Sequence, residues 1–248
     1  MGKVSSSEIQ KYFSNSPVLD HYQEATEQVG LWDSERIVFS KTFSDPDLKL
    51  LEIGCGAGRI SFGLWKKGYS NLTSTDFSKA MVKRSRILNQ KFKTEISFKV
   101  EDATDLSFGD NSFDGAIFGF NGLMQIPWRE NRLQAMKEVQ RVLKSGSYIV
   151  FTTHDQAMPK WKKFWANERK KWKKGQQNPE LLEFGDRFEE TPRGKLFIHV
   201  PDVGDIRSGL MAASFSVERD IVKSKICEES KLVNQYSDDC RFWIARKK

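Results

Sequence analysis

The sequence predicts a doubly wound α/β domain with a mostly parallel sheet, and three observations carry that prediction. Short apolar runs alternate with amphipathic stretches from Leu48 to Thr153, the order of a βαβ series. One run, Leu48, Leu50, Leu51 and Ile53, breaks into glycines at every second position, Gly54, Gly56 and Gly58. Acidic or amide side chains, Asp76, Asp102 and Asn121, stand where later runs end. Ligands of such sheets bind outside the carboxyl ends of the strands, so the glycine loop and these residues converge on one expected site.

Taken in order, residues 8–42 have helical periodicity, with Tyr12, Phe13, Val18, Tyr22 and Leu31 on the apolar side. Pro17 breaks it, and a further helix runs over 32–43 with Asp33 or Ser34 as its N-cap. After the first strand and its glycines comes a helix over 60–67, where Ile60, Phe62, Leu64 and Trp65 carry the apolar groups. Strands follow at 72–75, 96–100, 115–119 and 148–153, with helices at 78–91, capped by Ser78, and at 130–143. Residues 154–201 interrupt the alternation with a helix over 159–174 and a hairpin over 185–200 that turns at Pro192, Arg193 and Gly194. A helix over 203–213 and strands at 217–226 and 239–246 complete the sheet, the last two as an antiparallel hairpin at one edge.

At 248 residues the chain suits one α/β domain with an insertion. Aromatic residues make up 12% of it, which excludes a disordered chain. No apolar run reaches the length of a membrane span and the first ten residues are too polar for a signal peptide, so a soluble, cytoplasmic protein without membrane association is expected. Met1-Gly2 with Ser6 fits the bare N-myristoylation pattern, but a Ser-rich disordered start is the preferred reading. Cys55, Cys227 and Cys240 lie far apart without C-x-x-C company, and Asp110, Asp114 and Asp239 show no ligand spacing, so neither a disulfide framework nor a metal is expected. The net charge of +7 permits anionic partners. Much of it lies between Lys160 and Lys174, read either as a track for RNA or, preferably, as the solvated face of an amphipathic helix whose other face carries Trp161, Trp165 and Trp172.

The glycine spacing G-x-G-x-G differs from the G-x-G-x-x-G of dinucleotide folds and lacks the Gly-Lys-Ser/Thr ending of a P-loop. A carboxylate at Asp76 can accept both hydroxyls of a ribose. With these residues the chain resembles a class I S-adenosylmethionine-dependent methyltransferase: Leu51 to Gly58 resembles the first motif of that family, Asp76 the second, Glu101 to Leu106 the third, and Phe113 to Asn121 the fourth. The resemblance implies the Rossmann-like methyltransferase fold with S-adenosyl-L-methionine as cofactor. It also implies that residues 1–47 form an N-terminal helical lid, 48–153 the cofactor-binding core, 154–201 an inserted substrate cap of helix plus hairpin, and 202–248 the completion of the core sheet.

On this resemblance Gly54, Cys55, Gly56 and Arg59 surround the methionine portion, with a supporting contact from Glu52. Phe77 either covers the adenine or packs in the core, and Met81 joins the same wall. Asp102 accepts from the adenine amino group, Ala103 offers a backbone contact, and Phe120 and Asn121 border the reacting centre. Acceptor contacts are expected from Tyr12, Tyr22 and Trp32 of the lid, from Met124, and from Trp165 and His199 of the cap, each with plain packing as the competing reading. His154 is the best-placed general base, oriented by Asp155, or else a structural histidine at a strand end. The implied reaction is methyl transfer to a nitrogen or oxygen of a small organic molecule or peptide by in-line displacement. The alternatives are an RNA methyltransferase and a regulatory protein that binds the cofactor without turnover; oligomeric state is not encoded in any motif.

Overall fold

The structure is a computed structural model and describes residues 3–248; Met1 and Gly2, and with them the acylation pattern, lie outside the described residues. Its centre is a seven-stranded sheet. In chain order the strands are β1 (Leu50–Ile53), β2 (Leu72–Asp76), β3 (Ser97–Val100), β4 (Phe113–Phe118), β5 (Leu143–Thr153), β8 (Phe215–Val222) and β9 (Arg241–Lys247), arranged β3-β2-β1-β4-β5-β9-β8. β1 pairs in parallel with β2 on one side and β4 on the other, so the strand order reverses next to β1. Every residue of β1 is buried, as expected of a parallel strand covered on both faces.

One face packs on α3 (Asp33–Thr42), α4 (Arg59–Trp65) and α5 (Lys79–Phe92) through Phe39, Phe43, Phe62, Leu64, Val82 and Leu88. The other packs on α6 (Arg129–Val142) and α8 (Val203–Ala212) through Met136, Val139, Ile206 and Leu210. Gly115 on β4 makes room for α3: a Cβ there would meet Phe43 Cε1 at 2.5 Å. Ser78 caps α5 as expected, its side chain accepting from the Met81 N–H.

The amino-terminal segment differs from expectation in two places. The serine-rich start is ordered: Ser5 and Glu8 close a capping box at the head of α1 (Ser6–Tyr12), and Val4 and Ile9 are buried against Phe197. The helical run is broken beside Pro17 as expected, and the proline sits in the first turn of α2 (Ser16–Glu24), where a missing N–H costs nothing. A π-helical turn, Ala25–Val29, then runs to Gly30 at φ +65°. The N-cap of α3 is Trp32 rather than Asp33 or Ser34. Carboxylates supply the missing acceptors: Glu35 takes the Trp32 N–H at 3.0 Å, and the remote Glu229 takes those of Asp33 and Ser34 at 3.3 and 2.9 Å.

The interrupting segment folds as α7 (Lys162–Lys173), preceded by a 3₁₀ turn that holds Trp161, and a separate hairpin of β6 (Asp186–Thr191) and β7 (Gly194–His199). Trp165 is buried against Met124, Ile198 and Val200 while Lys162, Lys163, Lys170 and Lys173 are exposed, an amphipathic arrangement. β8 and β9 are antiparallel neighbours, but not a tight hairpin, because α9 (Lys231–Tyr236) lies in their connection and β9 sits inside the sheet between β5 and β8. Among the described residues no helix is long and apolar enough to cross a membrane.

α3 and α4 are joined where the chain leaves β1. Arg59 Nη1 and Nη2 each donate to a carboxylate oxygen of Glu35 at 2.6 Å, and Nη1 also donates to the Gly30 carbonyl at 2.9 Å. Glu35 is 1% exposed, so truncating it leaves a buried guanidinium without its counter-charge. Glu35→Ala is expected to lower unfolding free energy by about 3 to 5 kcal/mol, measured by urea denaturation.

Candidate active site

Gly54, Gly56 and Gly58 stand at φ +69°, +55° and +95°, a left-handed backbone that only glycine adopts freely. The loop they form is clamped from three sides. The Cys55 N–H donates to the Thr75 carbonyl at 2.9 Å, tying it to β2. Gly119, just past β4, approaches so closely that a Cβ would meet the Gly54 carbonyl oxygen at 2.3 Å. From α2, the Tyr22 ring lies on Gly56, where a Cβ would meet Tyr22 Cδ1 at 2.8 Å.

Asp76, the last residue of β2, completes the clamp. Its Oδ2 accepts the Gly56 N–H and its Oδ1 the Ser78 N–H, both at 2.8 Å. Burial raises its pKa to about 6 against the pull of those two donors. Each oxygen keeps a second lone pair for a further donor. Behind the loop Glu52, 3% exposed, accepts from the Ser61 hydroxyl; burial pushes its pKa up to about 7. Burial also holds the Cys55 thiol well above its ordinary value, which removes it as a nucleophile.

Two cavities meet at this loop. The larger, ≈ 950 Å³, is lined by Gly54, Gly56, Asp76, Phe77, Met81, Asp102, Ala103 and Phe120 together with Tyr22, so the structure brings these sequence-predicted residues to one cleft. Asp102 turns its Oδ1 onto the Thr104 N–H and hydroxyl at 2.8 and 2.7 Å, an Asx turn that shapes the rim. The second cavity, ≈ 680 Å³, shares Tyr22, Gly54 and Phe120 and adds Trp32, Glu52, Cys55 and Arg59. In its wall Trp32 is 2% exposed, its Nε1 has no hydrogen-bond partner, and Arg59 Cζ and Lys223 Nζ lie 4.4 and 4.9 Å from its ring centroid. A buried, unpartnered indole N–H on a ring that two cations overlie fits an anionic oxygen.

Other expected site residues are turned elsewhere. Asn121, 4% exposed at φ +55°, exchanges hydrogen bonds with Thr152 and lies 3.2 Å from His154 Nε2; it braces β4 against β5 and does not line either cavity. His154 donates from Nδ1 to the Asp239 carbonyl at 3.2 Å, which leaves Nε2 to accept from Asn121 Nδ2. Its lone pair is therefore occupied, and burial lowers its pKa. Asp155 does not orient that ring, since Arg241 takes its carboxylate at 2.8 and 3.1 Å.

Met124, 1% exposed, accepts the His154 N–H at its sulfur and packs with Trp165 in the interior of the cap. His199 is also interior, its Nδ1 2.8 Å from Asp186 Oδ1. Tyr12 faces the hairpin, with its hydroxyl 3.3 Å from Thr191 Oγ1. All four are turned away from the larger cleft: Trp165 and His199 belong to the inserted segment and help build its interior, Met124 packs onto Trp165, and Tyr12 rests on the hairpin. Glu183, Asp186 and His199 bring donor atoms within 4.8 Å of one another, but Asp186 Oδ2 already accepts the Leu182 and Glu183 N–H groups and Glu183 pairs with Arg132.

Residues not anticipated also line the main cleft: Ile9 and Gln10 of α1 with Phe13 at its end, and Ile126, Pro127 and Asn131 beyond β4; Gln125, whose place just after Asn121 marks it with Leu123 and Met124 as a floor of the reacting centre, lines it too. Ile9 and Phe13, four apart on a helix, carried a face signal. Gln10 and Asn131 carried none.

A sheet whose order reverses beside β1, a left-handed glycine loop and a carboxylate bound to that loop are the features expected of a class I S-adenosylmethionine-dependent methyltransferase, and the comparisons support that class for the segment that carries them. Residues 51–151 match the family model described as a methyltransferase domain, and the cofactor of the family is S-adenosylmethionine. The chain is 33% identical over 109 residues to a demethylmenaquinone methyltransferase of Desulfitobacterium hafniense, covering 42% of each chain. It is 30% identical over 103 residues to the methyltransferase GfsG of Streptomyces halstedii, covering 41% of this chain and 36% of that one. It thus spans less than half the length of these curated relatives. A solved S-adenosylmethionine-dependent methyltransferase of Methanosarcina mazei is 26% identical, with TM-score 0.65, over 82% of this chain and 93% of that chain. The [4+2]-cyclase SpnF shares the fold at 16% identity and TM-score 0.68, over 100% and 97%.

The two raised carboxyls set a pH dependence. Their folded pKa values, about 6 and about 7, lie above the unfolded ones, so the folded state holds the protons longer and both groups withdraw stability as pH rises from about 4 to 7. Relative to wild type, Glu52→Gln is expected to gain about 3 kcal/mol of stability between pH 4 and pH 8, read from denaturation midpoints across that range.

Proposed function

We propose that the chain transfers the methyl group of S-adenosylmethionine to a nitrogen or oxygen of a small organic acceptor by in-line displacement. The observation that carries this reading is the Asp76 carboxylate, fixed by the Gly56 and Ser78 N–H groups at the floor of the larger cleft. In this reading Asp76 holds the ribose hydroxyls, Phe77, Met81, Asp102 and Ala103 surround the adenine, and Gly54, Cys55 and Gly56 pass the chain toward the second cavity. Trp32, expected from sequence to meet the acceptor, is reassigned: its free Nε1–H, near Arg59 and Lys223, receives the carboxylate of the cofactor's amino-acid end.

When bound, the sulfonium supplies a methyl carbon already activated for displacement. The protein's task is alignment and exclusion of water. Tyr22 and Phe120, which line both cavities, are the side chains that confine the reacting centre. Besides the residues assigned to the nucleoside, the larger cleft is lined by amides, Gln10, Gln125 and Asn131, among apolar groups, Ile9, Phe13, Phe118 and Ile126. This lining suits an uncharged, partly apolar acceptor. Because the His154 lone pair is held by Asn121, the acceptor brings its own nucleophile, a neutral amine or an acidic hydroxyl.

The names of the relatives, a demethylmenaquinone methyltransferase among them, support a small-molecule acceptor. The RNA reading has no such support, since Trp165 of α7 is buried within the cap and is not free to stack on a base. We read residues 1–47 as the lid and 154–201 as the cap over this acceptor space.

Calorimetry with S-adenosylhomocysteine tests the assignment. Asp76→Ala is expected to lower its affinity about 10- to 100-fold, the loss of charge-assisted hydrogen bonds of about 1.5 to 3 kcal/mol; unchanged affinity would sink the reading. Trp32→Phe, which keeps the ring and removes the N–H, is expected to weaken S-adenosylhomocysteine about tenfold and leave adenosine, which lacks the amino-acid end, unaffected.

A further inference from the structure

The net charge of the chain is not spread over it. Residues 160–174 carry seven lysines, one arginine and one acid, a net +7 that equals the net charge of all 248 residues. The rest of the molecule sums to zero. Within the segment Lys160 pairs with Asp238 and Lys171 with Glu168, and Arg169 lies over the Phe184 ring at 4.4 Å. Lys162, Lys163, Lys170, Lys173 and Lys174 are exposed and join no ion pair among the described residues. At about 100° per residue these five fall within an arc of about 120° on α7, along roughly 18 Å of helix. The buried Trp165 is on the opposite side, and Ala166 is the other residue inside the arc, so no acid interrupts it.

Local forces disfavour this arrangement. Lys162 and Lys163 open the helix, whose first turn holds no acid and whose N-cap, Trp161, makes no side-chain hydrogen bond. Cations there oppose the helix dipole. Lys170 repels Lys173 and Lys174, three and four positions on. Nothing in the folded chain relieves the repulsion, and anions outside it would.

What else the segment offers decides which anions fit. Its rings are engaged within the fold: Trp165 is buried, Trp161 lies under Arg187 Cζ at 4.9 Å, and Trp172 stands edge-on to Phe184. They are not free to stack on bases. The single guanidinium, on Phe184, offers no open fork for nucleic-acid phosphates. There remains a convex row of ammonium groups, point charges that a plane of many anions satisfies together, and the headgroups of an anionic bilayer are such a plane. No described helix is long and apolar enough to cross a membrane, but a basic helix can rest on the surface of one.

We propose that α7 is a docking face for an anionic lipid bilayer, its five unpaired lysines set against headgroup phosphates while its tryptophans stay packed in the protein. The charge distribution carries the docking face. The choice of lipid rests also on the acceptor reading above, since an uncharged, partly apolar acceptor partitions into a bilayer.

Cosedimentation of the full chain with vesicles tests this, using phosphatidylcholine alone and an equal mixture of phosphatidylcholine and phosphatidylglycerol. Wild type is expected to bind the mixed vesicles only, and more weakly as salt rises. Changing the five lysines to glutamine is expected to weaken binding about fivefold for each lysine and to leave Tm unchanged or higher, because repulsion is removed. Changing Lys41, Lys67, Lys83, Lys93 and Lys137 instead, exposed lysines of other elements, removes the same charge and should keep binding within about threefold, since charges beyond a Debye length are screened. Equal losses in the two variants would make net charge, not this face, the cause and overturn the inference. A lower Tm for the α7 variant would make its lysines structural, binding to phosphatidylcholine alone would make the attachment apolar, and binding to neither vesicle would remove it; each overturns the inference. So would tighter binding to a short RNA than to mixed vesicles, lost in the α7 variant, which would make the face a nucleic-acid surface. Failure of wild type to bind S-adenosylhomocysteine would sink the reading of the larger cleft, an outcome that vesicle binding does not share.

Discussion

The rest of the structure depends on one buried carboxylate. Asp76 ends β2, and by accepting the Gly56 and Ser78 N–H groups it binds the glycine loop to the head of α5. A loop of left-handed glycines has many conformations to choose from. This contact, with the Cys55 N–H on the Thr75 carbonyl, selects one of them. The close passage of Gly119 over the Gly54 carbonyl then becomes possible, and β4 can deliver Phe120 to the same point that β2 reaches with Asp76. Burial that raises the carboxyl toward neutrality is the cost of that position. A diol donating to it would favour the ionised form and draw that pKa back down.

A second electrostatic construction supports the opposite side of the loop. Arg59, at the head of α4, is held by Glu35 and the Gly30 carbonyl. Lys223, 3% exposed, donates to the Ser237 hydroxyl and the Asp238 carbonyl. The two cations face the Trp32 ring, and Glu229 from the connection between β8 and β9 caps the helix that begins there. Segments distant in sequence thus meet to orient one indole. Its unpartnered Nε1 is then an exception to the rule that buried donors are satisfied, which the carboxylate proposed above would remove.

The inserted segment contributes a wall more than a set of reactive groups. α1 touches the hairpin through Tyr12 and Thr191, and Asn15 donates to the Arg193 carbonyl, so the amino-terminal helices rest on the inserted segment as well as on the larger cleft. Trp165, Met124 and His199 are consumed in giving that segment an interior. Its cations remain outside, which is the solvated face that amphipathic spacing predicts.

What the sequence by itself determined is the sheet and the larger cleft. Alternating apolar runs set the strands and helices within a few residues, glycine spacing set the loop, and Asp76, Phe77, Met81, Asp102 and Ala103 could be assigned to one cleft because strand ends in a parallel sheet converge by topology alone. What only the tertiary structure decided is where side chains outside that repeat point. Asn121 and His154 stand at strand ends and still turn into a hydrogen-bonded brace, because a buried amide and imidazole satisfy each other before they satisfy an absent ligand. Trp32 became the cap of α3 because Glu35 and the remote Glu229 supply the acceptors that its own side chain lacks. No local pattern records a partner so far along the chain. Periodicity reports which way a residue faces relative to its own helix or strand; it carries no information on what a neighbouring segment brings to that face.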